Sequence, residues 1–411
     1  MKKVYLHVGS HKTGTTSIQK SCRLNKELLK QQGVDYFTKG RGGVELSQRF
    51  LGHWLNKGKV ITPHESNVTI EDLDELVSLI EQTDCEKVII SDENLSWIFD
   101  EAEIEKISQK FKSSFDFYVV FYIRRQDELA ISHLAEAAKH GGGGGHARSH
   151  YLTCGKSLPM KNGDSYYYRY LDFYRKINAW ASHTGIQNVI VRVFNKNTLL
   201  NGDVVDDFYS SIGVDSSSFA RFQDSNVSMG FERTKVGHLL HHSEEVGNKL
   251  PVGVKAAILK STNNSGKLLP SRAEASEFYS CYQQSNIDLN RQMNIFDGSE
   301  DVFDMDFSKY PEIEQDTWDE DSANSAIVNL ILGLSKKSRE IDLLRDCAIA
   351  LESVDMHKAL QLMELARKAR PHGVFINQKL AEYKATLIDD EPPIPTVERS
   401  NSSLCQPIKN E

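Results

Sequence analysis

The stretch that decides the fold is Lys3–Lys20, KVYLHVGSHKTGTTSIQK, at the start of the chain. Its first six residues alternate apolar side chains as in a short buried strand, and a helical pattern starts at Ser17. Between them, a turn rich in glycine and threonine runs from Gly9 to Thr16. The first amide groups of a helix lack backbone acceptors, and the helix dipole favours negative charge beside them. The stretch therefore predicts a phosphate-binding loop at one edge of an α/β sheet.

The position of the lysine separates this loop from that of nucleoside triphosphatases. Those loops read GxxxxGK[ST], with the lysine directly after the second glycine. Here Gly9 and Gly14 have that spacing, but Thr15 stands at the lysine position and Lys12 lies inside the loop. No obvious second strand supplies a carboxylate for Mg²⁺. A plain kinase or ATPase is disfavoured, and a P-loop kinase with a degenerate loop stays open as an alternative.

A second motif begins with Phe115–Ile123, FDFYVVFYI. This near-continuous apolar run is typical of a central strand in a parallel sheet that is covered on both faces. It ends at Arg124, and the helix that follows carries Ser132. An arginine can contact a phosphate through two hydrogen bonds, and a hydroxyl two turns along the helix can face the same group.

A third motif is the strand Lys87–Ser91, KVIIS, followed by Asp92 and Glu93. Open α/β sheets bind ligands at the carboxyl ends of their strands. A carboxylate there either accepts a proton from a substrate or caps the next helix. The rival proton acceptors near these motifs are His7, His11 and His133.

The loop HKTGTTSIQ, with these motifs in this order, resembles sulfotransferases that use 3′-phosphoadenosine 5′-phosphosulfate (PAPS). The bacterial type, related to the carbohydrate sulfotransferases, is the most similar. The resemblance implies a P-loop-type parallel sheet flanked by helices. It also implies that Lys12 contacts the leaving phosphate and the bridging oxygen. The residues that it assigns to the cradle of the 5′-phosphosulfate are Thr13, Gly14, Thr15, Thr16 and Ser17.

The same resemblance assigns Arg124 and Ser132 to the 3′-phosphate of PAPS. It makes Glu93 the catalytic base, with Asp92 as an alternative that stays open. The implied reaction transfers the sulfuryl group from PAPS to a hydroxyl, or an amine, of a carbohydrate-type acceptor by in-line displacement, and needs no metal. A catalytically silent module, in which the loop is a relic and the C-terminal helices recruit a protein partner, is a further alternative.

The strand patterns predict an α/β fold. They alternate with helical patterns, which is typical of a mostly parallel sheet with right-handed crossovers. One helix is predicted over Tyr166–Thr184, and another opens at Asp203. Arg192 lies in the last predicted strand, and two interpretations of its role stay open: contact with the cofactor, or a structural role. The predicted strands lie near residues 3–8, 34–37, 87–91, 115–123 and 188–194.

The chain of 411 residues is long enough for one large α/β core and a smaller appendage. The sulfotransferase-like domain is predicted over 1–310, a small all-helical region over 311–385, and a disordered tail over 386–411. In the helical region, the spacing of Ala359 and Ala366 resembles one tetratricopeptide unit, with a generic helical hairpin as the alternative. These helices are a possible site for a protein partner.

Composition limits the class of protein. The 49 Lys and Arg residues against 57 Asp and Glu leave a net charge of −8, which disfavours general nucleic-acid binding. The apolar stretches are too short to span a membrane. The six cysteines are scattered without metal-ligand spacing, which predicts neither a zinc site nor a disulfide framework and suits the cytoplasm. Loops 38–63 and 140–165 are expected to shape the acceptor cleft, and the second, with the glycine run 141–145, is interpreted as an acceptor-side lid, with plain disorder as the alternative.

Overall fold

The structure is a computed structural model that describes residues 1–37, 70–139, 155–159, 166–222, 229–243, 250 and 252–389. The chain divides into two compact units, Met1–Ala326 and Ile327–Glu411. The predicted acceptor loop 38–63 and most of the predicted acceptor loop 140–165 lie outside the described residues. The predicted tail also lies outside them from residue 390 onward.

The first unit contains a parallel sheet of five strands in the order β2-β3-β1-β4-β5. Each predicted strand is present within one residue at either end, and the predicted α/β fold class is confirmed. From β1 the chain continues to β2 on one side of the sheet, and from the neighbouring β4 it continues to β5 on the other, so the crevice between the carboxyl ends of β1 and β4 is a topological switch point. The strands are β1 Lys3–His7, β2 Val34–Tyr36, β3 Lys87–Ser91, β4 Asp116–Ile123 and β5 Val189–Val193.

Helices cover both faces of this sheet. A 3₁₀ helix, Glu93–Trp97, directly follows β3. The α-helices are α1 Thr15–Leu24, α2 Lys26–Gln31, α3 Ile70–Glu81, α4 Glu101–Ser114, α5 Gln126–Ala137, α6 Tyr166–Leu171, α7 Phe173–Thr184, α8 Val204–Ser211, α9 Phe231–His242, α10 Val252–Ser261 and α11 Arg272–Met293.

The strands send alternate side chains into two hydrophobic cores. Val4 and Leu6 of β1 point into the larger core, which α3, α4, α5, α7 and α11 close. Tyr5 points into the smaller core, where α1, α2 and α8 pack. Strand β4 does the same, with Phe121 on one face and Tyr122 on the other. Because water reaches neither face, β4 is apolar along nearly its whole length.

The predicted single helix over Tyr166–Thr184 is wrong, because the structure divides it into α6 and α7 at Asp172. The Asp172 carboxylate accepts a hydrogen bond from the amide of Arg175 at 3.2 Å and so caps α7. It also accepts one from the hydroxyl of Ser285 on α11 at 2.6 Å. The helix predicted to open at Asp203 is confirmed as α8, and Asp203 is its cap.

The second unit consists of helices joined by short turns in its described part. It contains the continuation of α12 Glu320–Ala350, followed by α13 Met356–Ala369 and α14 Val374–Asp389. Ala359 and Ala366 are fully buried on α13, as expected where two helices cross closely. The tetratricopeptide resemblance stays a prediction. Helix α14 extends four residues into the region predicted as a tail. No helix within the described ranges is long and apolar enough to cross a bilayer.

Candidate functional site

The β1–α1 loop, residues 8–14, leaves the sheet between β1 and β4. The amides of Val8 and Ser10 donate to the carbonyls of Val120 and Tyr122 at 3.1 and 2.8 Å, which continues the parallel ladder beyond β1. A β-carbon on Gly9, which has φ +92°, would lie 3.1 Å from Cβ of Glu93. Glycine therefore allows this loop to approach the residue predicted as the catalytic base.

The start of α1 is built around Gly14. Gly14 has φ +82°, and its carbonyl accepts hydrogen bonds from the amides of Ser17 and Ile18 at 2.9 and 3.1 Å. The helix begins at Thr15, slightly before the predicted start, and its first turn has no acidic residue. Because the first amides of a helix have no acceptor within it, this end of α1 presents partial positive charge.

The predicted cradle residues have different surroundings. The hydroxyls of Thr13 and Thr15 are buried and donate to the carbonyl of Ser10 at 2.6 and 3.3 Å. In this structure these two hydrogen bonds hold the β1–α1 loop together. The side chain of Thr16 is exposed, and Ser17 lines a cavity of about 500 Å³. The contribution of these residues to ligand binding stays a prediction.

Lys12 is held by a carboxylate from α5. Its Nζ lies 2.9 Å from Oε2 of Glu136, which also contacts Nζ of Lys139 at 3.0 Å. Burial alone would raise the pKa of the Glu136 carboxyl, but Lys12 and Lys139 outweigh it and lower that pKa to about 2. Lys12 is therefore a positioned cation at the β1–α1 loop, with its counter-ion on a neighbouring helix.

Arg124 lies at the junction of two cavities. It lines the 500 Å³ cavity with Ser17, here called the Phe194 cavity after its aromatic wall. It also lines a cavity of about 380 Å³ with Ser132, here called the Ser132 cavity. Of the predicted residues, Arg124 thus shares one cavity with Ser17, which lies far from it in sequence, and the other with Ser132, which lies two turns along α5. Burial lowers the pKa of the Arg124 guanidinium, which nevertheless stays charged near neutral pH.

Arg124 connects the loop to α5. Its Nη1 donates to the carbonyl of Lys12 at 3.4 Å, and its Nε donates to Glu128 at 2.9 Å. Glu128, Ser132 and Glu136 follow one another at intervals of four residues, so they share one side of α5. One helix side thus presents Ser132 between the carboxylates that pair with the two predicted ligand-binding cations.

Glu93 lies at the start of the 3₁₀ helix, on the same edge of the sheet. Its Oε2 accepts a hydrogen bond from Nε2 of Gln19 on α1 at 2.9 Å. Glu93 is half-buried, whereas Asp92 is only 3% exposed. Of the two candidate bases, Glu93 is therefore the more accessible to an acceptor. Whether it acts as the base stays a prediction.

Two of the three rival histidines are enclosed in the core. Burial lowers the pKa of His7 to about 3, and its Nδ1 lies 2.8 Å from Oγ of Ser91. Burial, followed by His11 and Lys12, lowers the pKa of His133 to about 3. Both imidazoles are neutral at pH 7 and have almost no contact with solvent. Their environment favours a structural role over proton transfer.

Sequence reasoning missed Tyr170, which supports the β1–α1 loop. The phenol oxygen accepts a hydrogen bond from the backbone amide of His11 at 2.9 Å and lies 3.3 Å from the donating Oγ of Ser96. Tyr170 thereby joins the loop to the 3₁₀ helix that carries Glu93. The run of tyrosines around Tyr170 did not indicate this role, because the contact joins residues that lie 159 positions apart in the sequence.

Arg192 has a structural partner. Its Nε donates to Oδ1 of the buried Asp207 at 2.8 Å, and the hydroxyl of Tyr122 donates to the same oxygen at 2.6 Å. Asp207 also accepts from the amide of Leu200 at 3.0 Å. Of the two roles left open for Arg192, these contacts favour the structural one. Within the described ranges, no group of three or more histidine, cysteine, aspartate or glutamate side chains is arranged to hold a metal ion.

Comparisons with known proteins add a fold likeness. No protein-family model matches the chain, and no curated protein matches it. Among solved structures, the chain is similar to a sulfotransferase from Alicyclobacillus acidocaldarius, with 14% sequence identity and a TM-score of 0.39. The likeness covers 72% of this chain and 97% of that chain. At this identity and TM-score, the likeness does not by itself support a function.

Proposed function

We propose that the chain is a PAPS-dependent sulfotransferase that acts on a hydroxyl, or an amine, of a carbohydrate-type acceptor. The observation that carries the proposal is a pair of cationic side chains, Lys12 and Arg124, at the carboxyl edge of the sheet, and we assign an anionic group of the ligand to each. Lys12 precedes the start of α1, and Arg124 lines the Ser132 cavity. PAPS has anionic groups at both the 5′ and the 3′ positions of its ribose, whereas ATP carries all its phosphates on the 5′ side.

The Phe194 cavity supports the proposal because its lining suits a nucleoside. The rings of Phe194 and Phe222 supply apolar surface, and Ser17 and Arg124 supply polar groups. Aromatic rings stack on planar bases, and ligand pockets combine such surfaces with a few convergent polar groups. Because Arg124 also lines the Ser132 cavity, a nucleoside in the Phe194 cavity could extend its 3′-phosphate toward Arg124 and Ser132.

The proposed reaction is an in-line displacement at sulfur. The acceptor oxygen forms a bond to sulfur as the bond from sulfur to the 5′-phosphate oxygen breaks, and the acceptor proton passes to Glu93. The products are the sulfated acceptor, 3′,5′-adenosine bisphosphate and one proton. Lys12 and the first amides of α1 stabilise the charge on the transferring sulfuryl group and on the departing phosphate. The same residues orient the donor for attack.

The experiment that tests this function is calorimetric titration of the full chain with 3′,5′-adenosine bisphosphate, beside ATP with Mg²⁺. We expect micromolar binding of the bisphosphate, a large loss of affinity in Arg124→Ala, and no comparable binding of ATP. The control is Arg291→Ala, because Arg291 is exposed on α11 and pairs only with its own helix neighbour Asp288 among the described residues. Tight ATP binding without bisphosphate binding would overturn the proposal and favour a kinase.

A further inference from the structure

We infer that Lys309 is a further phosphate-binding residue, which joins Arg124 and Ser132 in holding the 3′-phosphate of the nucleotide. This inference rests on the proposed function. Lys309 belongs to the segment 304–310, which follows α11 in the chain and lies at the start of α5 in space. No motif in the sequence drew attention to it.

Arg125 fixes one end of that segment. Its Nη1 donates to the carboxylate of Asp304 at 2.8 Å and to the carbonyl of Asp306 at 2.7 Å. The guanidinium carbon also lies 4.3 Å from the ring centroid of Phe307. Arg125 is only 4% exposed, so its guanidinium is shielded from water although Asp304 and Asp306 themselves are exposed. The segment 304–310 is therefore anchored to the first turn of α5.

The other end of the segment is fixed by Tyr310, whose hydroxyl donates to the buried carboxylate of Asp127. Lys309 is thus held between two anchors. Its Nζ contacts Oε1 of Glu128, and Nε of Arg124 lies 2.9 Å from Oε2 of the same carboxylate. One carboxylate bridges the two cations. Phosphate oxygens accept hydrogen bonds from the same donors, so the pair can hold a phosphate in a similar way.

The charge of the Ser132 cavity fits a dianion. Its lining contains three cationic side chains, those of Arg124, Lys267 and Lys309, and one carboxylate, that of Glu128. Burial, together with Arg125 and Arg124, lowers the pKa of Lys309 to about 8. The neighbouring arginines thus repel the positive charge of Lys309, and a bound dianion would offset that repulsion. The lining also contains the hydroxyl groups of Ser132 and Thr234.

The test compares two ligands that differ only in the 3′-phosphate, 3′,5′-adenosine bisphosphate and adenosine 5′-phosphate. Lys309→Met is expected to weaken binding of the bisphosphate about 10- to 100-fold, the range for a lost hydrogen bond to a charged group. Binding of adenosine 5′-phosphate should stay unchanged. The charge-matched control is Lys112→Met, because Lys112 is exposed at the C-terminal end of α4 and its Nζ donates to the carbonyl of His183. It should leave both affinities unchanged.

The outcomes separate the two proposals. If the unmodified chain does not bind the bisphosphate, the proposed function and this inference both fail. If it binds, and Lys309→Met weakens both ligands equally or neither, only the inference is overturned. Glu128→Gln provides a second test should Lys309→Met fail to fold. Removing the competing carboxylate should tighten binding of the bisphosphate alone, and unchanged or weaker binding would count against the inference.

Discussion

Replacing Gly14 by alanine tests the junction between the β1–α1 loop and α1. At φ +82°, a residue with a β-carbon pays about 1–2 kcal/mol for the left-handed conformation. The added carbon would also lie 2.7 Å from Cγ1 of Val204 and 3.1 Å from Cε2 of Phe194. Such overpacking typically costs a further 1–3 kcal/mol, roughly. The free energy of unfolding should therefore fall by about 2–5 kcal/mol in Gly14→Ala.

The matched control is Gly33→Ala. Gly33 has φ +70°, but no heavy atom lies within 4 Å of the place where its β-carbon would be. The free energy of unfolding should therefore fall in Gly33→Ala only by the cost of the left-handed backbone, about 1–2 kcal/mol. The assay is urea unfolding followed by tryptophan fluorescence. The tryptophans among the described residues, Trp97, Trp180 and Trp318, lie in the first unit, so their signal reports the unfolding of the unit that contains both glycines. The difference between the two variants isolates the cost of the contacts with Val204 and Phe194.

Equal losses in Gly14→Ala and Gly33→Ala would refute this reasoning. They would mean that Val204 and Phe194 do not crowd the start of α1. Both of these side chains line the Phe194 cavity, so the same result would also weaken the case that α1 and this cavity form one site.

Three further predictions concern the charged groups of the site. Lys12→Ala should lower turnover about 10²- to 10³-fold, as for loss of a donor to developing charge, and turnover at the original rate would exclude its assigned role. Glu93→Gln should lower kcat about 10²- to 10⁴-fold with bisphosphate affinity unchanged, and a loss seen only in Asp92→Asn would transfer the role of base to Asp92. Glu136→Gln should cost about 0.5–1 kcal/mol at pH 7, because the ion pair with Lys12 is partly exposed. The pKa of Glu136 falls from 4.5 to about 2 on folding, so its stabilisation is complete above pH 4.5 and disappears as the pH falls toward 2. Across that pH interval, the free energy of unfolding should change less with pH in Glu136→Gln than in the unmodified chain. The same dependence on pH in both proteins would contradict the pairing.

The sequence predicted the features that depend on neighbouring residues. The alternation before Gly9 and the apolar run of β4 are local patterns, and the structure has strands at both places. The break between α6 and α7 escaped prediction, because the amphipathic pattern continues through Asp172. Only the cap on Arg175 and the contact with Ser285 show why the chain turns there.

Side-chain roles were harder to predict, because they depend on residues far along the chain. Arg124 and Arg125 are adjacent, and only the family resemblance distinguished them by assigning Arg124 to the 3′-phosphate. In the structure, Arg124 lines both cavities, whereas Arg125 fixes the segment 304–310. The partner of Lys12 is 124 residues away, and the contact between Lys309 and Glu128 spans 181 residues. No local pattern carries that information.

Helix α5 has a consequence for how the protein can diverge. Glu136 lies eight positions after Glu128, and at 1.5 Å per residue the helix sets them about 12 Å apart along its axis. The two carboxylates that hold Lys12 and Arg124 are therefore spaced by a single helix rather than by loops. Insertions in the surface loops can change what approaches the edge of the sheet while this spacing stays constant. A proline in the middle of α5 would kink the helix and displace the two carboxylates relative to each other, and with them the ion pairs to Arg124 and Lys12.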